Sequence, residues 1–306
     1  MPSVNVGNQL FVFAACSSSG SPRNVRSQRL TATSIPLVSR GRADADEVHL
    51  GASHGLESEI MTTTTTEPQI KPAATDAAAA PRQFVNFMFF KVDRAFRRET
   101  AAMRAEAKAE FAEIVRKHTG PMMVLPYSTV GIKPNTDFMF WRIGYDIDPF
   151  QQMAAGINKS ILGRYLDIPV SYFSMTKHSQ YVDEHFHEGQ EGRRLRIVPG
   201  KKPFLFVYPF VKTRDWYLLP QSERQRIMNE HIAIGHKYPR VKINTTYSFG
   251  LDDQDFVVAF EADSAAEFLD LVQELRETES SKYTQRDTPM YTCRRSTVEE
   301  ILDSLA

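Results

Sequence analysis

A pattern that occurs twice constrains this chain more than any other feature of its 306 residues. Asp137-Phe-Met-Phe-Trp-Arg-Ile-Gly-Tyr lies a little over a hundred residues before Asp255-Phe-Val-Val-Ala-Phe-Glu-Ala-Asp, and both stretches read as strands. Each leads into a helix start. In the first copy Asp148 precedes Pro149 as an N-cap, and Phe150, Met153 and Ile157 recur at helical spacing. In the second, Ser264 and Glu267 have the spacing of a capping box, with Phe268, Leu271, Val272 and Leu275 on one face. Each copy closes on a short strand, Val170 to Met175 and Pro289 to Cys293.

The segments upstream correspond as well. Phe84 to Phe90 and Phe204 to Phe210 are apolar strands leading to helices over roughly 95–118 and 221–235, each followed by a further strand. Both halves therefore read strand, helix, strand, strand, helix, strand, which is the ferredoxin-like unit. The expected fold class is α+β, with two tandem ferredoxin-like halves of the dimeric α+β barrel type, over 83–190 and 191–306. Each sheet is expected to be covered by helices on one face, around one extended core.

Residues 1–82 lack the aromatic density that begins at Phe84 and are rich in Ser, Thr, Ala and Pro, a composition expected to be disordered. The first 43 residues contain five Arg, many Ser and no Asp or Glu upstream of Asp44, the pattern of an organelle transit peptide. A true start at Met61 accounts for the same sequence. The first reading implies a plastid or mitochondrial location, the second a cytoplasmic one.

Charge and cysteine content exclude several classes. With 37 basic and 37 acidic side chains, the chain lacks the excess cation that polyanion binding requires, so no nucleic-acid partner is expected. Cys16 and Cys293 alone make neither a disulfide framework nor a four-cysteine metal site. The apolar run from Leu10 to Cys16 is too short to cross a membrane, and Gly-rich phosphate loops are missing.

Ile227, His231 and Ile234 are spaced to share the buried face of a helix that Gly235 is expected to end. A histidine there is either a satisfied core residue or a metal ligand. A neutral imidazole on a rigid helix beside an apolar pocket suits the proximal side of haem iron, and Glu279 is the candidate carboxylate behind it. Tyr208-Pro-Phe-Val-Lys212 ends a strand and is followed by Arg214, Trp216 and Tyr217. The basic stretch Arg193, Arg194, Arg196, Lys201 and Lys202 reads as a solvated loop that could also pair with anions, and His185 and His187 as part of an exposed loop.

In order, Tyr208-Pro-Phe-Val-Lys212, Trp216-Tyr217-Leu-Leu-Pro220, Glu223-Arg224, Met228-Asn-Glu-His231, Ser248-Phe-Gly-Leu-Asp-Asp253 and Leu275-Arg-Glu-Thr-Glu279 resemble the chlorite dismutase-like superfamily, and within it the haem-biosynthetic coproheme decarboxylases. The resemblance runs over about 83–300. It implies a haem site with His231 as proximal iron ligand and Glu279 as its hydrogen-bond partner. It also implies Tyr208 as the residue that forms a radical after peroxide oxidation, and Lys212, Arg194 and Ser281 as partners of the coproheme propionates. A homo-oligomer, commonly a pentameric ring, follows from the same likeness.

The implied activity is oxidative decarboxylation of iron coproporphyrin III (coproheme) to haem b with hydrogen peroxide. The alternatives are a haem b peroxidase or chlorite-degrading enzyme, and a haem-binding carrier or sensor. Chlorite-degrading members carry a distal arginine, whereas the matching position here is Ile243 or Asn244. A branch that uses a distal histidine has no counterpart near Glu191, so the distal acid or base stays unassigned. One haem site per chain is expected, because the first half has no matching histidine on its helix face.

Overall fold

The computed structural model describes residues 81–181 and 196–306. In chain order the elements are β1 (Phe84–Val92), α1 (Ala101–His118), β2 (Met123–Ser128), β3 (Phe138–Gly144), α2 (Asp148–Lys159) and β4 (Leu166–Met175) in the first half. The second half has β5 (Phe204–Lys212), α3 (Arg214–Leu218), α4 (Gln221–His236), β6 (Lys242–Tyr247), β7 (Phe256–Ala262), α5 (Ala265–Glu277), β8 (Thr284–Arg286), β9 (Tyr291–Arg295) and α6 (Val298–Leu305).

Within the halves the strands pair in the orders β4-β1-β3-β2 and β9-β5-β7-β6, the ferredoxin-like order in both. The halves join where β2 meets β9 and β4 meets β6, and since β5 pairs with β7 the sheet closes into an antiparallel barrel of eight strands. Strand β8 adds to β5 outside the ring. Closure removes the exposed sheet edges that two separate halves would present.

A closed barrel has an inside and an outside, so the expected single core divides into three clusters. Alternate residues of β1, β3, β5 and β7, among them Val85, Phe87, Trp141, Leu205 and Ala259, fill the interior together with Tyr291 and Cys293. Phe90, Phe138 and Phe140 face outward beneath α1, α2 and α6. Phe206, Tyr208, Val258 and Phe260 face outward beneath α4 and α5.

Local detail departs from the sequence reading in four places. Asp148 is the first residue of α2 rather than its cap: Ile147 before it already has helical backbone angles, and the Asp148 N–H donates to the Asp146 carboxylate at 3.1 Å. Ser264 precedes α5 without making a cap hydrogen bond, and Glu267 pairs with Arg240 instead of closing a box. Helix α4 runs one residue past Gly235. The capping box that does form belongs to α6, where Thr297 and Glu300 exchange bonds with each other's backbone N–H.

The two halves differ in what covers their outer faces. An offset of 120 residues, which carries Phe84 onto Phe204, places Phe111 of α1 at the position of His231 of α4. Phe111 is fully buried against Phe138 and Phe140. Ile301, Leu302 and Leu305 of α6 complete that packing. Among the described residues no helix repeats the part of α6 in the second half, and Ile243, Phe249 and Leu251 there remain 46%, 48% and 45% exposed.

Candidate functional site

Strand pairing fixes which side chains meet beneath α4. Residues opposite one another in antiparallel ladders share a face, so β5, β7 and β6 place Tyr208, Val258 and Thr245 in one row and Phe206, Phe260 and Ile243 in the next. Tyr208 is buried in the outward-facing cluster, its ring stacked over Phe260 at 6.0 Å. Ile234 and Tyr238, from the end of α4 and just beyond it, pack against the same cluster. A Cβ added to Gly235, one turn past His231, lies 3.9 Å from the Ile243 side chain, so the last turn of α4 closes directly on β6.

Alternation along β6 separates the two expected distal residues. Ile243 faces the helix layer. Asn244 turns to the barrel interior, where its amide donates to Glu261 at 3.1 Å, and so does not line the site. Thr245, in the row of Tyr208, is exposed on the helix side and was not singled out from sequence, although the same period of two marks it.

His231 is held by α4, whose preceding turn is anchored by the fully buried Ile227. Its Nδ1 is enclosed and has no hydrogen-bond partner. Burial first, and then the charge of Lys212, lower its pKa to about 4, so the imidazole is neutral at physiological pH and available as a ligand. The expected bond to Glu279 is not made: that carboxylate pairs with Arg226 at 2.8 Å. A guanidinium on the same helix outcompetes a neutral N–H for the carboxylate.

Lys212 is almost fully buried at the end of β5, after an irregularity in its pairing with β8. Its ammonium donates to the carbonyl and hydroxyl oxygens of Ser280, at 2.8 and 3.1 Å, and sits 4.5 Å from the centre of the Trp216 ring. Burial lowers its pKa to about 8. Two of its three donors are thus used on Ser280 rather than turned toward a propionate. Its backbone N–H and the Tyr217 hydroxyl both donate to Asp255, which fixes α3 against the strand end. Ser281 donates to the Thr278 carbonyl at 2.8 Å and so closes a local turn.

Burial also pushes the Tyr208 phenol above its ordinary pKa, with Asp287 adding to the rise and Arg276 opposing it, so the hydroxyl keeps its proton. Arg194, His185, His187, Glu191, Cys16 and Met61 lie outside the described residues. Lys202, from the basic stretch, pairs with Asp263. Among the described residues no cluster of three or more His, Cys, Asp or Glu forms a metal site, and no helix is long and apolar enough to cross a membrane.

The two shifted bases give a pH prediction for the protein without a bound ligand. As pH falls from about 6.5 toward 4, the unfolded chain takes up a proton at His231 that the folded chain refuses, so stability falls over that window. Lys212 acts at the other end: its burial penalty weighs fully on the fold below about pH 8 and is relieved between about 8 and 10.5. Thermal unfolding across pH is expected to show a shallower acid decline in His231→Gln than in wild type. Identical acid limbs would mean that the imidazole is not enclosed as described.

The donor set fits a haem-type group better than a bare metal ion. A single neutral imidazole with a buried, unpaired Nδ1 stands on a helix whose last turn meets the exposed Ile243, and among the described residues no cluster of His, Cys, Asp or Glu completes a metal shell.

Comparison with known proteins identifies the family of the chain. The family model described as chlorite dismutase matches residues 104–296. A protein named coproheme decarboxylase from Mycolicibacterium smegmatis is 29% identical over 227 residues, covering 72% of this chain and 94% of the relative. A chlorite dismutase from Ideonella dechloratans is 28% identical over 211 residues, covering 68% of this chain and 74% of the relative. Among solved structures, that of the chlorite dismutase of Candidatus Nitrospira defluvii in complex with imidazole superposes with a TM-score of 0.66 at 26% identity, covering 72% of this chain and 94% of the other.

Proposed function

Because the chain belongs to the chlorite dismutase family, we propose that it is a haem-dependent oxidative decarboxylase that converts coproheme to haem b with hydrogen peroxide. The observation that carries the reading is the placement of Tyr208 in the layer beneath α4, the helix that presents His231; by resemblance the position of the chlorite-degrading arginine falls on Ile243 or Asn244, neither of which can do an arginine's work. The coproheme decarboxylase named among the relatives supports the same choice.

In this reading His231 would hold the iron through Nε2, its Nδ1 being enclosed, and Ile243 would be among the apolar side chains available to line the site. The bound iron porphyrin supplies the oxidising power of peroxide. Tyr208 supplies the hydrogen-atom transfer. Its protonated, buried phenol gives up an electron and a proton together, and the oxygen-centred radical then takes a hydrogen from the propionate carbon chain. Loss of carbon dioxide and a second electron leaves a vinyl group. Each decarboxylation is a two-electron oxidation, so one peroxide and one proton are consumed and two waters formed per carboxylate removed.

Lys212 acts behind His231. Burial does most to keep the imidazole unprotonated, and the Lys212 charge, fixed by Ser280 and Trp216, adds to it. Arg194, Ser281 and Lys212 remain our candidate partners for the propionates; for Lys212 this role requires it to leave Ser280. We also propose a homo-oligomer, on family resemblance.

The test is to load the protein with iron coproporphyrin III, titrate hydrogen peroxide and follow product mass. Two successive losses of carbon dioxide with two hydrogens, each using one peroxide, are expected. Peroxide turnover with haem b and an unchanged coproheme mass would identify a peroxidase instead.

A further inference from the structure

Glu279 is pinned at its backbone and contested at its side chain. Its N–H donates to Glu230 of α4 at 3.2 Å, next to His231 in sequence. The following residue, Ser280, is held from the other side by the ammonium of Lys212. The turn over Glu279–Tyr283 is therefore fixed against α4, and the freedom that remains belongs to the Glu279 carboxylate. That carboxylate is drawn toward Arg226, which also holds Glu223 through two bonds of 3.0 and 2.7 Å. Meanwhile the Nδ1 of His231 is buried without a partner.

An unmade bond at an enclosed N–H and a satisfied ion pair at a half-exposed guanidinium are an unequal pair of states once the imidazole binds a cation. Coordination at Nε2 makes Nδ1–H a stronger donor, while an exposed ion pair is weak and screened by water and salt. We propose that Arg226 is a positioning residue for the iron ligand: it competes with His231 for the Glu279 carboxylate and so limits how much anionic character the imidazole acquires. The inference rests on the haem reading above. It predicts that the strength of the iron–imidazole bond is set from the surface of α4, by a residue that touches neither the ring nor the iron.

The experiment uses the full-length protein loaded with iron coproporphyrin III, and reads the ferric/ferrous reduction potential and the iron–histidine stretching frequency. In Arg226→Gln the carboxylate is released to His231, so the potential is expected to move negative and the stretch upward. Glu279→Gln is expected to move both the opposite way, and the double variant to match Glu279→Gln. Arg226→Lys, which keeps the charge, is expected to stay near wild type. An Arg226→Gln protein with wild-type values beside a shifted Glu279→Gln protein would overturn the role of Arg226 alone. No shift in either variant would remove Glu279 as the partner of His231 and the inference with it. A wild-type protein that shows no histidine-ligated iron spectrum sinks the haem reading as well.

Discussion

Tyr208→Phe is expected to bind coproheme with near wild-type affinity and to lose decarboxylation by at least about a hundredfold, which corresponds to roughly 2.7 kcal/mol in the barrier. The substitution removes one oxygen from a side chain packed on Phe260 and surrounded by Val258, Phe268 and Leu271, so the ring keeps its place and the fold is little disturbed. What is lost is the hydroxyl hydrogen. A phenyl ring cannot release an electron and a proton together at accessible potential, and no neighbour in the same row can replace it, since Val258 is apolar and Thr245 carries an aliphatic hydroxyl. Product mass after peroxide titration reads this directly. Unimpaired double decarboxylation by Tyr208→Phe would remove the tyrosine from the reaction and with it the reason for preferring this activity.

His231→Ala is expected to weaken coproheme binding by more than about a hundredfold, beyond the tenfold to hundredfold typical for loss of a residue that merely supports a metal ligand. The described residues offer no second cluster of metal-ligating groups to take over. The variant also leaves a cavity beside Ile227 and Ile234, and added imidazole is expected to fill it and restore the ligand's absorption spectrum. Binding measured by titration, with and without imidazole, separates loss of the ligand from loss of the fold. Wild-type affinity in His231→Ala would place the iron elsewhere. Phe111→His, at the equivalent position of the first half, is expected to create no second site, because α6 already packs across that face.

The repeat was legible because it lies in patterns that water imposes locally. Strands such as Phe84–Val92 and Phe204–Lys212 and the helix α4 emerge from apolar spacing close to their actual bounds, whereas α1 begins at Ala101 rather than near residue 95, because a 3-10 turn over Arg94–Arg98 comes first and Thr100 caps the helix. Caps were less legible. Asp148, Ser264 and Glu267 have the right residue types, yet Asp146 and Arg240, brought in by the turn and the tertiary structure, decide where their hydrogen bonds go. The short α6 escaped notice because eight residues carry few turns of periodic signal, and its place depends on α1 and β2.

The candidate site divides in the same way. By itself the sequence determined that His231 stands on the buried face of a helix, that Tyr208 lies in an apolar strand, and that the two halves share one strand and helix order. These follow from period and composition along a continuous segment. Only the tertiary structure decided that the halves close into one barrel, that Asn244 faces inward while Ile243 faces the helix, that Lys212 is buried on Ser280, and that Glu279 is held by Arg226. Each of those outcomes is a choice between partners far apart in the chain, settled by competition for one hydrogen bond or one side of a sheet, and such competition has no signature in the spacing of neighbouring residues.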